Sequence, residues 1–386
     1  MAVRYKNARL VDATGERFGE LVLESGNILS CGEKTDTPCG TEIDLEGRVL
    51  MPALVDLHCH LRDPGYPQKE TMESGMRAAL KGGYAMLCAM ANTNPVCQTP
   101  ELVEENHKKA RALRLCRLMQ AAAAGENLDD AVPTDYEALS RATGMLTNDG
   151  KTIVSDGFMR NLLFASKQYG FLVSTHCQPE RRIVVRDIAL LREVGGNLHV
   201  GHISRAETVE MIRAAKAEGL TLTCEVTPHH LIGFDNEYHV NPPLRTRADT
   251  LALVEGIRDG TVDCLSTDHA PHTEEDKTAG MAGISNIEYA LGVFWQVFYE
   301  NDLELAKLSE LASFAPARRL HRKAGLLKAG YAADLLVFDP DDAWEIRRAD
   351  MISKSHNTPF EGRKARGHVI QTIVEGEVRY EHGKAL

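Results

Sequence analysis

No stretch of this 386-residue chain approaches the ~18 consecutive apolar residues of a membrane-spanning helix, and the opening MAVRYKNARLVDATGERFGELV lacks the apolar stretch of a secretory signal. These absences argue against an anchored or exported chain and make a cytoplasmic address the expectation. Paired cysteine spacing is missing too. Nine cysteines, an odd number, are scattered from Cys31 to Cys264, which argues against a disulfide framework and reads as reduced core thiols. No Lys/Arg-rich run interrupts a net charge of -11, so neither nucleic acid nor a membrane is an expected partner. An anionic substrate would need its positive counterpart supplied locally. Internal repeats and low-complexity tracts are also absent.

What is present is a globular composition, 43% hydrophobic, in a chain long enough for one large domain and a smaller one. From Met51 onward short apolar runs alternate with amphipathic stretches. The strand-like runs end near eight places: His58, Met90, Gln120, Asp149, His176, His202, Val226 and Thr267. Strands alternating with helices of this length predict parallel βαβ units, and eight of them predict an α/β fold of the (β/α)8, TIM-like barrel type over residues 49–330. A doubly wound open sheet is the second reading. The barrel is preferred because polar residues cluster where a barrel keeps its active site, at the strands' C-terminal ends. Residues 1–48 and 331–386 instead alternate apolar and polar residues around Gly, Asp and Asn turns, the pattern of short antiparallel strands. Neither end is long enough to make a stable sheet alone, so both are expected to pair into one small β-sandwich domain.

The stretch VDLHCHLRDPG, residues 55–65, sets His58 and His60 one residue apart. Side chains at i and i+2 of a strand point to the same face, so both imidazoles can converge on one ion. Zinc and similar metals favour such ligands. The plainer reading is two hydrogen-bonded residues at a strand end. Other strand ends add weight: His176 in LVSTHCQPE, His202 in LHVGHIS and Asp268 in CLSTDHAPH would place nitrogen and oxygen ligands on one rim. His199 lies three positions before His202 and so faces away, as a structural residue. Either member of His229–His230 could serve the site or pack beneath it. Asp56 reads as a support for His58 rather than a ligand. Glu180 reads as a helix-start residue ahead of a site-lining acid, and Lys151 as a solvated loop charge.

Taken in order, these segments resemble the amidohydrolase superfamily, and within it the bacterial dihydroorotases that share motifs with hydantoinase-like enzymes. VDLHCHLRDPG resembles the first signature of that group and MANTNP the second; LTNDG, STHC, HVGHIS, EVTPHH, NPPLR and STDHAPH follow in the group's order, and GYAADLLVFDP with SHNTPFEGRKARGHVIQTIVEGEV resembles its closing β segment. The resemblance implies one or two zinc ions per chain, two being the fuller expectation. His58, His60 and Asp268 would hold the first ion, His176 and His202 the second, with Asp149 as the bridge where many relatives use a carboxylated lysine. Cobalt and manganese suit the same ligands. It implies reversible cyclisation of N-carbamoyl-L-aspartate to L-dihydroorotate in pyrimidine synthesis, a metal-bridging hydroxide attacking the ring amide and Asp268 acting as general acid and base. Arg62, Asn92 and His272 would grip the substrate carboxylate, Asn241 and Gly283 the ring's amide edge. A salt bridge from Arg62 to Asp63 is the plainer role for that arginine.

Three departures from the group's pattern stand out. Ala91 replaces a proline in MANTNP, GMAGISNIE replaces a more apolar, proline-bearing segment around Gly283, and the stretch between His176 and His202 is short, as if a rim loop were missing. Two other readings stand beside the first: allantoinase or dihydropyrimidinase, which lack an arginine placed as Arg62 is, and a non-catalytic dihydroorotase-like partner of aspartate transcarbamoylase, which would lose metal ligands. A homodimer and an association with aspartate transcarbamoylase are both open.

Overall fold

The computed structural model describes residues 1–384; the last two residues of the expected terminal domain, 385–386, lie outside the described residues. Each strand-like run of the central region forms a strand, and every residue in most of these strands is buried. Leu54–Cys59, Tyr84–Ala89 and Arg117–Gln120 form a three-stranded parallel sheet. Ala122–Ala123, Met145–Thr147, Leu172–Thr175, Leu198–Val200, Leu222–Val226 and Cys264–Leu265 form a second parallel sheet in chain order. The Ala121 amide bonds the Ala89 carbonyl between the two sheets. At the far edge the Asp268 amide donates to the His58 carbonyl and the His60 amide to the His269 carbonyl, so the last strand's continuation joins the first. A doubly wound sheet would reverse its strand order part-way; here the order never reverses.

Helices fill the intervals for local reasons. Thr71 and Ser74 form a capping box on Met72–Lys81, Thr99 caps Pro100–Leu113 with proline in its first turn, and Ser155 caps Asp156–Tyr169. Gly170 and Gly260 close their helices in the left-handed conformation. The apolar faces of these helices and one face of the strands share one large core, including the fully buried Tyr84, Phe171, Phe294 and Phe298, while the other strand face forms a separate cluster around Val55, Leu57, Met86, Cys88, Met119 and Met145.

The chain ends do pair, but not only antiparallel. The terminal sheet runs Glu377–Glu381, Lys364–Val374, Leu335–Glu345, Val49–Pro52, Val3–Asp12, Gly15–Glu24, Asn27–Gly32. Val3–Asp12 pairs parallel with Thr41–Asp44 along its first half and with Val49–Pro52 along its second. One long strand thus accepts two short ones in succession, and the segment after Gly32 must cross back to lie alongside it. The sheet takes in Val49–Pro52, past the expected boundary at residue 48, because Val49–Pro52 bonds Leu335–Phe338 on its other edge. It has its own core around Tyr5, Leu10, Leu21, Leu50, Leu335 and Ile373. Arg117 at the start of a central strand pairs with Asp334 at 2.8 Å and ties the two regions together.

Candidate metal centre

The C-terminal ends of the parallel strands bring six of the expected residues into contact. Asp149 lies in the middle. Its Oδ1 is 3.3 Å from His58 Nε2, 3.4 Å from His202 Nε2 and 3.6 Å from His176 Nδ1, and its Oδ2 is 3.3 Å from His60 Nε2. Asp268 Oδ1 lies 3.2 Å from His60 Nε2 and 3.7 Å from His58 Nε2. His176 Nδ1 and His202 Nε2 are 3.0 Å apart. All six side chains are buried. Asp268 and His202 hold positive φ, 45° and 32°, as does Arg62 at 58°. Non-glycine residues in that region carry backbone strain that the surrounding structure must offset, a cost typical of functional sites.

The buried charges of this cluster perturb one another strongly. Complete burial alone would push the His58 imidazole down, but the carboxylates of Asp149 and Glu225 outweigh it and hold its pKa well above the ordinary value. Burial likewise opposes ionisation of Asp149, and the neighbouring histidines still hold it well below the carboxylate range. The buried atoms His58 Nε2, Asp149 Oδ1 and His202 Nδ1 have no hydrogen-bond partner among the described residues. A cation bound among these atoms would satisfy the first two, and ligand atoms of His58, His60 and Asp268, and of His58, Asp149 and His202, lie within 4.8 Å of one another. Imidazole nitrogens with carboxylate oxygens make a donor set suited to zinc and its neighbours.

The surrounding residues fix those ligands. His58 Nδ1 lies 2.7 Å from Glu225 Oε1, and the other oxygen of Glu225 lies 3.1 Å from His199 Nε2. Sequence reasoning passed over Glu225; a fully buried acid in the apolar run LTCEV is the signal that could have found it. His199 faces away from the cluster as expected, yet it acts on it through Glu225. Asp56 accepts from the Thr267 amide at 2.9 Å, the Thr267 hydroxyl at 2.5 Å and the His58 amide at 3.2 Å, so it locks the first strand to the turn carrying Asp268. Neither His229 nor His230 lines the cavity. His230 Nε2 meets the Pro242 carbonyl at 3.0 Å and holds the loop that presents Asn241. Glu180 starts a helix and is also buried, accepting from the Ser204 amide at 3.0 Å and the Thr208 hydroxyl at 2.6 Å, which braces the loop after His202.

Above the cluster opens a cavity of about 400 Å³. Ten of the eleven residues singled out from the sequence line it, and His58 lies just beneath. Arg62 donates to the Pro271 carbonyl at 3.2 Å and lies 3.1 Å from His272 Nε2. Burial pushes its pKa down to about 10, against the pull of Asp268 and Asp149, so it stays charged at neutral pH. Its suggested partner Asp63 is taken instead by Lys109 at 2.6 Å and by the Met72 amide at 2.9 Å. Asn92 Oδ1 meets His60 Nδ1 at 2.9 Å, and Asn241 Nδ2 meets His176 Nε2 at 3.1 Å. Gly283 adopts φ 146°, where a Cβ would stand 2.6 Å from the Ala270 carbonyl and 2.7 Å from the His272 ring, so the wall there admits only glycine. Lys69, not expected from sequence, adds a second cation at the mouth, 3.3 Å from His272 Nδ1 and 3.2 Å from Asp276. Lys151 contacts the Asn127 carbonyl at 3.2 Å and is not part of the cluster.

The amidohydrolase family model matches residues 49–379. This chain belongs to the amidohydrolase family. It is 34% identical to a dihydroorotase of Clostridium botulinum over 99% of its own length and all of that protein's. With a dihydroorotase of Deinococcus radiodurans the identity is 36%, over 98% of this chain and 99% of the relative. Among solved structures, the L-hydantoinase (dihydropyrimidinase) of Arthrobacter aurescens superposes with a TM-score of 0.92 at 25% identity, over 100% of this chain and 97% of that one. The hydantoinase shares the scaffold described above, and no helix among the described residues is long and apolar enough to cross a membrane.

Proposed function

We propose that the chain is a dihydroorotase, interconverting N-carbamoyl-L-aspartate and L-dihydroorotate on a (β/α)8 barrel, with a β-sandwich built from both termini. On this reading the small domain comprises residues 1–52 and 331–384 of the described chain, the barrel the residues between. The observation that carries the proposal is the placement of a half-buried, charged Arg62 at the mouth of a cavity whose floor is the four-histidine, two-aspartate cluster. Two features of one small molecule, a carboxylate and a hydrolysable amide, match those two features of the site. The full-length relatives named dihydroorotase support the same reading.

His58, His60 and Asp268 would hold one zinc ion and His176 and His202 a second, with Asp149 between them. When bound, such ions lower the pKa of a water toward neutrality and polarise a carbonyl. The protein's own part is orientation and proton transfer. Arg62, with Asn92 and His272, grips the substrate carboxylate, since a guanidinium offers parallel donors that fit one. Asn241 and the backbone at Gly283 face the amide edge. In ring opening the Asp268 carboxylate takes a proton from the attacking water and returns it to the leaving ring nitrogen; in ring closure it works in reverse. Despite its burial the neighbouring histidines keep Asp268 ionised, the state a proton acceptor needs at the start of ring opening.

The likeness to a dihydropyrimidinase favours a second reading, hydrolysis of a cyclic amide without a carboxylate. Arg62 would then lack a function. A non-catalytic partner of aspartate transcarbamoylase has no need for six converging ligands. The deciding experiment measures carbamoyl-aspartate cyclisation with and without chelator, beside ring opening of allantoin and hydantoin. Turnover of dihydroorotate alone, abolished by chelation and restored by zinc, is the expected result; turnover of hydantoin in its place would select the second reading.

A further inference from the structure

A second and larger cavity, of about 1130 Å³, lies at the opposite ends of the parallel strands, between them and the terminal sheet. Its floor is formed by strand beginnings, including Val55, Met86 and Leu118. Val55 lies near the start of the strand that carries His58 near its far end, so the two cavities sit at opposite ends of one strand.

The lining is basic in a protein of net charge -11. Arg111, Arg114, Arg117, Arg322, Lys323 and Arg379 face Asp334, Glu375 and Glu377. The three acids are consumed by structural pairs. Asp334 and Glu375 hold Arg117 at 2.8 and 3.1 Å, and Glu377 holds Arg379 at 2.6 Å and Arg114 at 3.6 Å. Arg111 is engaged by Glu104. Arg322 and Lys323, both exposed at the rim, are left with no carboxylate partner among the described residues. The C-terminus of helix Pro100–Leu113 also borders the cleft and contributes partial negative charge. The positive field there is therefore the work of side chains, and it exceeds what the fold needs.

We infer that this cleft binds a small phosphate-bearing anion, its phosphates on Arg322 and Lys323 and any organic part against Val55, Met86 and Leu118. Unpaired guanidinium and ammonium groups around a concave surface are the recognition chemistry of phosphate, and the cleft leaves room for a ligand of nucleotide size. The inference does not depend on the reaction assigned to the metal centre.

The test is isothermal titration of the full-length protein with pyrophosphate and with ADP, metal content being checked before and after. Wild type is expected to bind, and the double variant Arg322→Ala/Lys323→Ala to bind at least tenfold more weakly with turnover at the metal centre unchanged. The control Arg181→Ala/Arg182→Ala removes the same charge from an exposed helix face outside the cleft and is expected to bind as wild type does. ADP binding tighter than pyrophosphate places the organic part on the apolar floor, and equal binding assigns the site to phosphate alone; both support it. No binding at millimolar ligand, or equal weakening in both double variants, would overturn the inference.

Discussion

At the C-terminal ends of the parallel strands, buried imidazoles and carboxylates crowd together with ring nitrogens and oxygens left unpartnered, whereas near the beginnings of the same strands Arg117 is paired with Asp334 and Glu375 and each acid has its base. The first arrangement is poor for stability and good for capturing cations, because unpaired buried polar atoms cost free energy until something binds them. The second welds two regions together. Residues at the strand ends should therefore lose function when changed, and residues at the strand beginnings should lose stability.

Asp268→Ala gives the largest expected effect, a fall in turnover of at least ~10²-fold in both directions with the fold retained, since a positioned acid and base contributes about that much or more; stopped assays with circular dichroism check it. Arg62→Ala comes next, with a loss in kcat/KM equivalent to about 2–5 kcal/mol, the usual cost of leaving a buried charge unpaired. If dihydroorotate turnover were insensitive to Arg62→Ala, the carboxylate grip would be wrong. Glu225→Gln keeps the shape but removes the charge behind His58, and zinc retention under chelator competition should weaken by ~10–100-fold. At the strand beginnings, Asp334→Ala should cost about 2 kcal/mol in denaturant melts by removing an acceptor of charged hydrogen bonds, while leaving turnover unchanged.

The smallest effect is a pH slope. Burial, with help from Arg62 and Lys69, pushes the His272 pKa down to about 3, below its value near 6.5 in an unfolded chain. The unfolded state therefore binds the extra proton between those values, so His272 contributes stability above about pH 6.5 that is lost as pH falls toward 3. His272→Asn should flatten the acid side of the melting profile relative to wild type, and parallel profiles would contradict the shift.

Much of this architecture was legible along the chain. The eight polar-ended apolar runs are local patterns, and period-two spacing in VDLHCHLRDPG suffices to put His58 and His60 on one face. Other features were silent. Lys69 reads as an ordinary helix-flanking charge until His272, some two hundred residues later, is folded over it. The terminal sheet's parallel pairs were missed because alternation reports a strand but not its direction or neighbour. The extension of the terminal sheet past residue 48 was silent for the same reason: Val49–Pro52 is apolar throughout, and only its two partners assign it to that sheet.

Composition and local pattern, then, determined the class of elements, the succession of strands and helices, and which side chains end the strands, because these depend on residues a few positions apart. Tertiary structure alone decided that Asp149 stands among four histidines, that Glu225 links His58 to His199, and that Arg62 turns to the cavity instead of Asp63. Those contacts join residues far apart in the chain, and their strength comes from burial, which exists only after the strands have assembled and water has been removed.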